Sequence, residues 1–385
     1  MPPDLDELPV DYLAPFETFQ AYSLRRGTIY RGRIRERFAS DRGRLEQVLG
    51  AAPGSYRLED VRGRLYATLR VGGAAASRRR LWVNAVLLGL TAVTALAAGA
   101  DLSGAEPRGF ATLPFEFAVS SATHVVMGEW HAVVENHLPT FLGVMTTGAP
   151  YAAALLFVLI AHELGHYLAA RRYDVDATLP FFIPAPFFFG TCGAIIRMRS
   201  PIPHRRALFD VGVAGPLAGL AASFVVCCAG LGLSSYGPPG TCSTGPIVLQ
   251  HSLLFRGLAR LVLGAPDGLQ CVQLHPVAIA GWFGLFVTFL NLMPVGQLDG
   301  GHVWYALLGR AQGYVGLLAI GGIVAMGLRF PGWLLLALLI VVLLRVKHPP
   351  VLDESVRPGW KRWLIGALVA LIFLGLFIVE PVVVR

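Results

Sequence analysis

Charge is scarce in this chain. Asp, Glu, Lys and Arg make up 15% of its 385 residues and hydrophobic residues 55%, whereas soluble domains carry about 25% charged residues. That deficit excludes an ordinary soluble enzyme and identifies a polytopic membrane protein. Lysine is almost missing, present only at Lys347 and Lys361, so arginine carries the net charge of +8. In a soluble protein such an excess would suggest nucleic acid. Here it reads as the cytoplasmic side of membrane loops, and no nucleic-acid partner is expected. The near-absence of lysine is a composition bias without chemical meaning. No internal repeat is evident. The first 15 residues, Met1 to Pro15, are acidic and lack an apolar core. They match neither a secretory signal nor a transit peptide, so the chain is expected to start in the cytoplasm of a bacterium, and plastid import is not expected.

What the chain does have is a set of long apolar runs, two of which end in chemistry. The uncharged stretch from Leu138 through Ile160 leads into Ala161-His162-Glu163-Leu164-Gly165-His166. On a helix, His-Glu-x-x-His sets the two imidazoles at i and i+4 on one face, where both reach one metal ion. Glu163 then stands beside the metal as a candidate general base. Ionisable groups inside a bilayer are costly and need a reason. The competing reading is a helix already clear of the membrane, with Arg171 and Arg172 just behind.

A second motif, Asn291-Leu292-Met293-Pro294-Val295-Gly296-Gln297-Leu298-Asp299-Gly300-Gly301, follows the apolar run Val277 to Leu290. A catalytic zinc takes three protein ligands and keeps one open position. Asp299 is the candidate third ligand, and Pro294 and Gly296 break the helix ahead of it. Broken helices at membrane depth are tolerated where they line a cavity. His302 would close the site as a fourth ligand, so it is assigned a supporting or structural role. Together the two motifs resemble the site-2 protease family, the zinc intramembrane metalloproteases, over roughly residues 140–350. The N-terminal soluble segment resembles that of the family's plastid and cyanobacterial branch.

The resemblance implies one Zn2+ per chain held by His162, His166 and Asp299, with Glu163 catalytic. It also implies Asn291, Pro294 and Gly193 as substrate contacts. The expected fold is an α-helical polytopic membrane protein with six or seven transmembrane helices and a re-entrant β-hairpin, plus a small N-terminal α+β module. Residues 1–79 form that module, cytoplasmic and read as strand, helix, strand: Thr28 to Ile34, Ser40 to Gly50 and Leu58 to Val71. Residues 80–385 form the transmembrane metalloprotease domain. Arg78, Arg79 and Arg80 hold the start of the first span, Leu81 to Ala100, inside. Asp101 to His137, with His124, His131 and His137, is expected to be an outer loop of plain surface residues.

Leu179 to Gly190 is apolar but broken by proline and cannot span. It precedes a strand from Thr191 to Arg199 that contains Gly193. In the family this is the re-entrant hairpin, whose edge takes an unwound substrate as an added strand. Ala207 to Leu233 is the next span, with a small-residue face of Gly212, Ala214, Gly215, Ala218 and Gly219 for close packing. Cys227 and Cys228 are packing residues there, and Asp210 is either a partner of the metal site or an interfacial charge. Ser234 to His275 is a second outer loop, in which Cys242 and Cys271 could pair. Runs at Pro276 to Leu290, Tyr314 to Gly327, Pro331 to Val346 and Leu364 to Val379 complete the spans. No loop accommodates a PDZ domain, and nothing suggests the C-terminal nucleotide-sensing pair of some relatives.

The function implied is cleavage of peptide bonds within or near the transmembrane segments of a membrane-protein substrate, after an upstream site-1-type protease has shortened it. Two alternatives have sequence features in their favour. Broken helices with carboxylates at membrane depth also build metal or ion transporters. A non-catalytic relative would bind membrane proteins without cutting them. The expected setting is the bacterial cytoplasmic membrane.

Overall fold

The computed structural model describes residues 12–24, 27–52, 54–61, 63–71, 81–103, 130–185, 189–236, 247–264, 272–344, 346 and 348–384. Contacts divide the chain into two compact units. One comprises Met1–Arg80 with Ala170–Thr178 and Arg197–Pro203, and the other comprises Leu81–Ala169, Leu179–Ile196 and His204–Arg385.

In the first unit, strands β1 (Phe16–Leu24) and β2 (Gly27–Ile34) are followed by a single helical turn, α1 (Glu36–Ala39). Helix α2 (Arg42–Gly50) and strands β3 (Gly54–Val61) and β4 (Arg64–Val71) complete it. The strands form an antiparallel sheet in the order β1-β2-β4-β3. Asp41 caps α2, accepting from the Arg44 amide at 3.1 Å. Leu45 and Leu49 of α2 bury against Tyr30, Ile34, Ala67 and Leu69 of the sheet. The module therefore has two more strands than expected. The stretch Leu58 to Val71 is a hairpin rather than one strand. It turns at Gly63, where φ is +75° and the amide donates to Asp60 Oδ1 at 2.9 Å. β1 escaped the alternation rule because its register slips between Phe16 and Thr18.

Among the described residues four helical stretches are long and apolar enough to cross a membrane: Leu81–Leu102, Thr146–Arg172, Arg205–Gly232 and Asp299–Gly327. Shorter apolar helices run Pro276–Asn291 and Gly332–Val342. Helix α3 is Leu81–Leu102, α4 is Trp130–Arg172 and α5 is Arg205–Gly232. The expected outer loop before the second helix is shortened at its C-terminal end. His131 and His137 lie in α4, whereas His124 is outside the described residues. The expected second outer loop carries an additional helix, α6 (Leu253–Leu263). Its amphipathic sequence buries Phe255, Leu258 and Ala259, with Ser252 as N-cap and Gly264 as left-handed C-cap. Short strands β7 (Ser235–Tyr236), β8 (Ile247–Leu249) and β9 (Val272–Gln273) flank it. Cys242 and Cys271 are outside the described residues.

Helix α7 (Pro276–Asn291) stops at the second motif, and α8 (Asp299–Leu308) continues through a 3-10 turn into α9 (Gln312–Gly327). Helix α10 (Gly332–Leu339) returns after the expected turn, and α11 (Trp360–Leu376) leads to strand β10 (Val382–Val384). β10 pairs with β8, which puts the C-terminal strand at the same end of this unit as the second loop. Cys227 is fully buried, as a packing residue should be. Asp210 is neither a metal partner nor a lone charge. Its carboxylate accepts two bonds from Arg362, at 2.8 and 2.6 Å, and so ties α11 to α5.

Between α4 and α5 the chain forms the antiparallel hairpin β5 (Phe181–Pro184) and β6 (Thr191–Ile195). Three side chains hold it by its carbonyls. Asn84 of α3 donates to Leu179 O at 3.1 Å and Pro180 O at 2.7 Å. Thr94 donates to Gly190 O at 2.6 Å, and Tyr151 of α4 to Phe189 O at 3.0 Å. Among the described residues no strand other than β5 pairs with β6. Replacing Asn84 with Ala leaves two carbonyls unsatisfied and is expected to destabilise the hairpin by about 1–3 kcal/mol. Faster amide exchange in β5 and β6, with α3 unchanged, is the readout.

Candidate metal centre

The HExxH residues lie on α4, directly after its apolar run Tyr151 to Ile160. His162, Glu163 and His166 are buried, at 6%, 5% and 7% exposure. Asp299 opens α8, and its side chain reaches back to the two histidines. His166 Nε2 lies 3.2 Å from His162 Nε2 and 3.2 Å from Asp299 Oδ2, and His162 Nε2 lies 3.3 Å from the same carboxylate oxygen. These distances form a near-equilateral triangle. Three vertices of a tetrahedron around an ion with ligand bonds of about 2.0 Å stand about 3.3 Å apart. Three lone pairs aimed at one point suit a first-row metal ion better than mutual hydrogen bonds among the groups themselves.

The tautomer of His166 is set from behind. Its Nδ1–H donates to the carbonyl of Val211 at 2.8 Å, which leaves Nε2 free to face the centre. Pro216 interrupts the helical ladder one turn later, because it has no amide to give Gly212. The small-residue face of α5 is in fact the wall behind the ligands. A Cβ on Gly215 would sit 2.0 Å from His166 Nε2, and one on Gly219 would sit 2.9 Å from His162 Nδ1. The glycines expected for helix packing thus leave the room in which the imidazoles lie.

Asn291, the last residue of α7, brings its Nδ2 to 3.3 Å from His162 Nε2, so the start of the second motif also reaches the centre. Gly193 and Pro294 are not gathered with these groups. Gly193 sits in β6 at φ +100°, where an added Cβ meets nothing within 4 Å, and its amide donates to Thr191 Oγ1 at 3.0 Å. Pro294 offers its carbonyl to Gln312 Nε2 at 3.1 Å. His302 Nδ1 lies 2.7 Å from His348 Nε2. Burial, followed by the neighbouring His302, holds His348 down to about 3, so it is neutral at physiological pH.

Several contributors were invisible to motif reading. The Val211 carbonyl is a backbone atom and leaves no trace in the sequence. Asn84 did carry a signal, being a lone amide within the first apolar span, and such residues seldom sit in a span without a partner.

Residues 150–328 match the sequence model of Peptidase family M50. The chain is similar to the probable zinc metalloprotease EGY1, chloroplastic, of Oryza sativa subsp. japonica, with 35% identity over 60% of this chain and 40% of the relative. It is 34% identical to the Arabidopsis thaliana protein of the same name, over 59% of this chain and 42% of the relative. With the probable zinc metalloprotease EGY2, chloroplastic, of Arabidopsis thaliana it shares 32% identity over 62% of this chain and 43% of the relative. The chain thus spans about two fifths of the length of the curated relatives it matches. No solved structure matches it. The matched region contains both motifs and every side chain of the triangle, so over residues 150–328 the chain is similar to peptidase family M50.

Proposed function

We propose that this chain is a zinc-dependent intramembrane endopeptidase that hydrolyses peptide bonds within or near the transmembrane segments of membrane proteins. The observation that carries the reading is the triangle of His162, His166 and Asp299, built from motifs 133 residues apart that both lie in apolar helices. The curated relatives are named as zinc metalloproteases, which favours zinc over other ions that two imidazoles and a carboxylate could hold. His162, His166 and Asp299 would hold the ion, which would supply Lewis-acid polarisation of a carbonyl and a bound water with its pKa lowered to about 7. Glu163, adjacent to His162 and buried with it, takes the proton of the attacking water and returns it to the leaving amine. Asn291 holds the substrate backbone beside His162.

A helical peptide bond is hydrogen-bonded along its own axis and must unwind before attack. Helix-breaking residues near the cleavage site are therefore expected in the substrate. The unpaired edge of β6 offers backbone groups to the unwound segment, with Gly193 keeping that edge free of a side chain. Pro294 contacts the substrate from the opposite motif, and an upstream protease of the site-1 type shortens it first. The six or seven spans, with the hairpin re-entering the bilayer, belong to the same proposal. So do a cytoplasmic docking module at residues 1–79 and a membrane domain at 80–385. The family match disfavours the transporter reading. The relatives are chloroplastic by name, so the assignment to a bacterial cytoplasmic membrane finds no support in them, and we assign the chain to a membrane without naming its compartment.

The test is metal content. Purified wild-type chain is expected to carry about one zinc, and Asp299→Ala to lose it, because two histidines alone make an incomplete site. A carefully prepared wild type without metal would overturn the protease reading.

A further inference from the structure

Asp299 is the least securely held of the three residues in the triangle. The histidines ride on a long continuous helix. Asp299 follows the irregular stretch 292–298 and begins a helix whose N-cap, Leu298, makes no side-chain capping bond. A shift of its carboxylate by 1 Å would spoil the triangle, so something else must fix the loop.

That role falls to the strap formed by Val346 and residues 348–354 and to one buried amide. Gln312, at 1% exposure, opens α9. Its Nε2 donates to Pro294 O at 3.1 Å, and its Oε1 accepts the His348 amide at 3.4 Å. The Gly296 amide donates to Val346 O at 3.1 Å, so the loop is bonded to the strap at two levels. Gly316, one turn after Gln312, leaves the space for this junction. A Cβ there would stand 3.2 Å from Gln312 Nε2 and from Val346 O. The strap then grips α8 itself. His348 meets His302 at 2.7 Å, one turn from Asp299, and stacks on the Tyr305 ring at 4.5 Å. Tyr305 donates in turn to Glu354.

We propose that Gln312 and His348 are positioning residues that hold Asp299 in register with the HExxH helix. Gln312 acts on the loop before Asp299, and His348 acts on the helix after it. The proposal rests on reading His162, His166 and Asp299 as metal ligands. Neither residue touches the metal or the substrate. Their effect is on where the carboxylate stands, as with groups behind metal ligands generally, whose loss lowers metal affinity by about 10–100-fold.

The experiment uses the full chain in detergent, loaded with Zn2+ for affinity and with Co2+ for its visible ligand-field bands. Gln312→Ala and His348→Phe are expected to lower zinc affinity about 10–100-fold and to shift the cobalt bands. The phenylalanine keeps the stack on Tyr305 but loses the bond to His302, so it answers the question even if Gln312→Ala fails to fold. Gln312→Glu keeps the acceptor for the His348 amide, loses the donor to Pro294, and should fall between. Arg329→Ala, which breaks the exposed ion pair with Glu380, should leave both readouts at wild type. A merely structural role for the strap would lower the unfolding temperature and leave the cobalt bands in place. Wild-type bands and zinc affinity in Gln312→Ala and His348→Phe would therefore overturn the proposal while leaving the metal centre intact. A wild type that takes up neither ion would instead remove the metal centre, and the strap's role with it.

Discussion

Gly215→Ala is expected to empty the metal centre without altering any ligand. The added Cβ would lie 2.0 Å from His166 Nε2, 2.3 Å from Cδ2 and 2.5 Å from Cε1. The whole imidazole edge is in the way, rather than the tip of a flexible chain. Overpacking of this kind costs about 1–3 kcal/mol when neighbours can yield. Here the neighbours yield only by swinging His166 out. That breaks its bond to Val211 O and withdraws Nε2 from the triangle. Two donors remain where three are needed, and zinc affinity should fall by at least about 100-fold, the upper end of the effects caused by groups behind the ligands.

The same helix supplies a graded series. Gly219→Ala places its Cβ 2.9 Å from His162 Nδ1 and should give a smaller loss. Gly232→Ala meets nothing within 4 Å and should be neutral. Zinc retained per chain after dialysis against a competing chelator reads all three. Retention of the metal by Gly215→Ala would mean that α5 does not form the back wall.

The second large effect separates binding from chemistry. Glu163→Gln preserves shape and burial but removes the group that carries the proton. Metal content should stay at the wild-type level, since Glu163 is not part of the triangle. Cleavage of any single-pass substrate that the wild type cuts should fall by about 10²–10⁴-fold. Single-turnover cleavage in proteoliposomes, with metal measured on the same preparation, tests both halves. Undiminished cleavage would exclude Glu163 as the base, and loss of the metal would instead make it a ligand.

The histidine pair and the carboxylate between them are legible in the sequence because their placing depends on local periodicity, whereas Asp299, 133 residues from His166, is legible only through the second motif. A helix of 3.6 residues per turn brings i and i+4 together wherever it forms. A proline and two glycines after an apolar run end a helix in any context. The boundaries of the spans followed from the same rule, as α3 and α7 illustrate. The misses occurred where local pattern is silent or misleading. β1 hid behind a bulge, and the β3–β4 hairpin hid behind continuous alternation across Gly63. α4 runs back to Trp130 through residues polar enough to pass for a loop. Of the two outer cysteines, neither lies among the described residues.

The sequence by itself determined the membrane character of the chain and the placing of His162, Glu163 and His166 within little more than one helical turn, for these rest on composition and on local periodicity. Only the tertiary structure decided that the glycines of α5 are a wall for imidazoles, and that Asp210 pairs with Arg362. Only it brought out the buried Gln312 that joins the loop before Asp299 to the strap beyond α10. The reason is distance along the chain. Those partners lie 18 to more than 150 residues apart, and several of the atoms involved are backbone carbonyls, which every residue possesses and no sequence can single out.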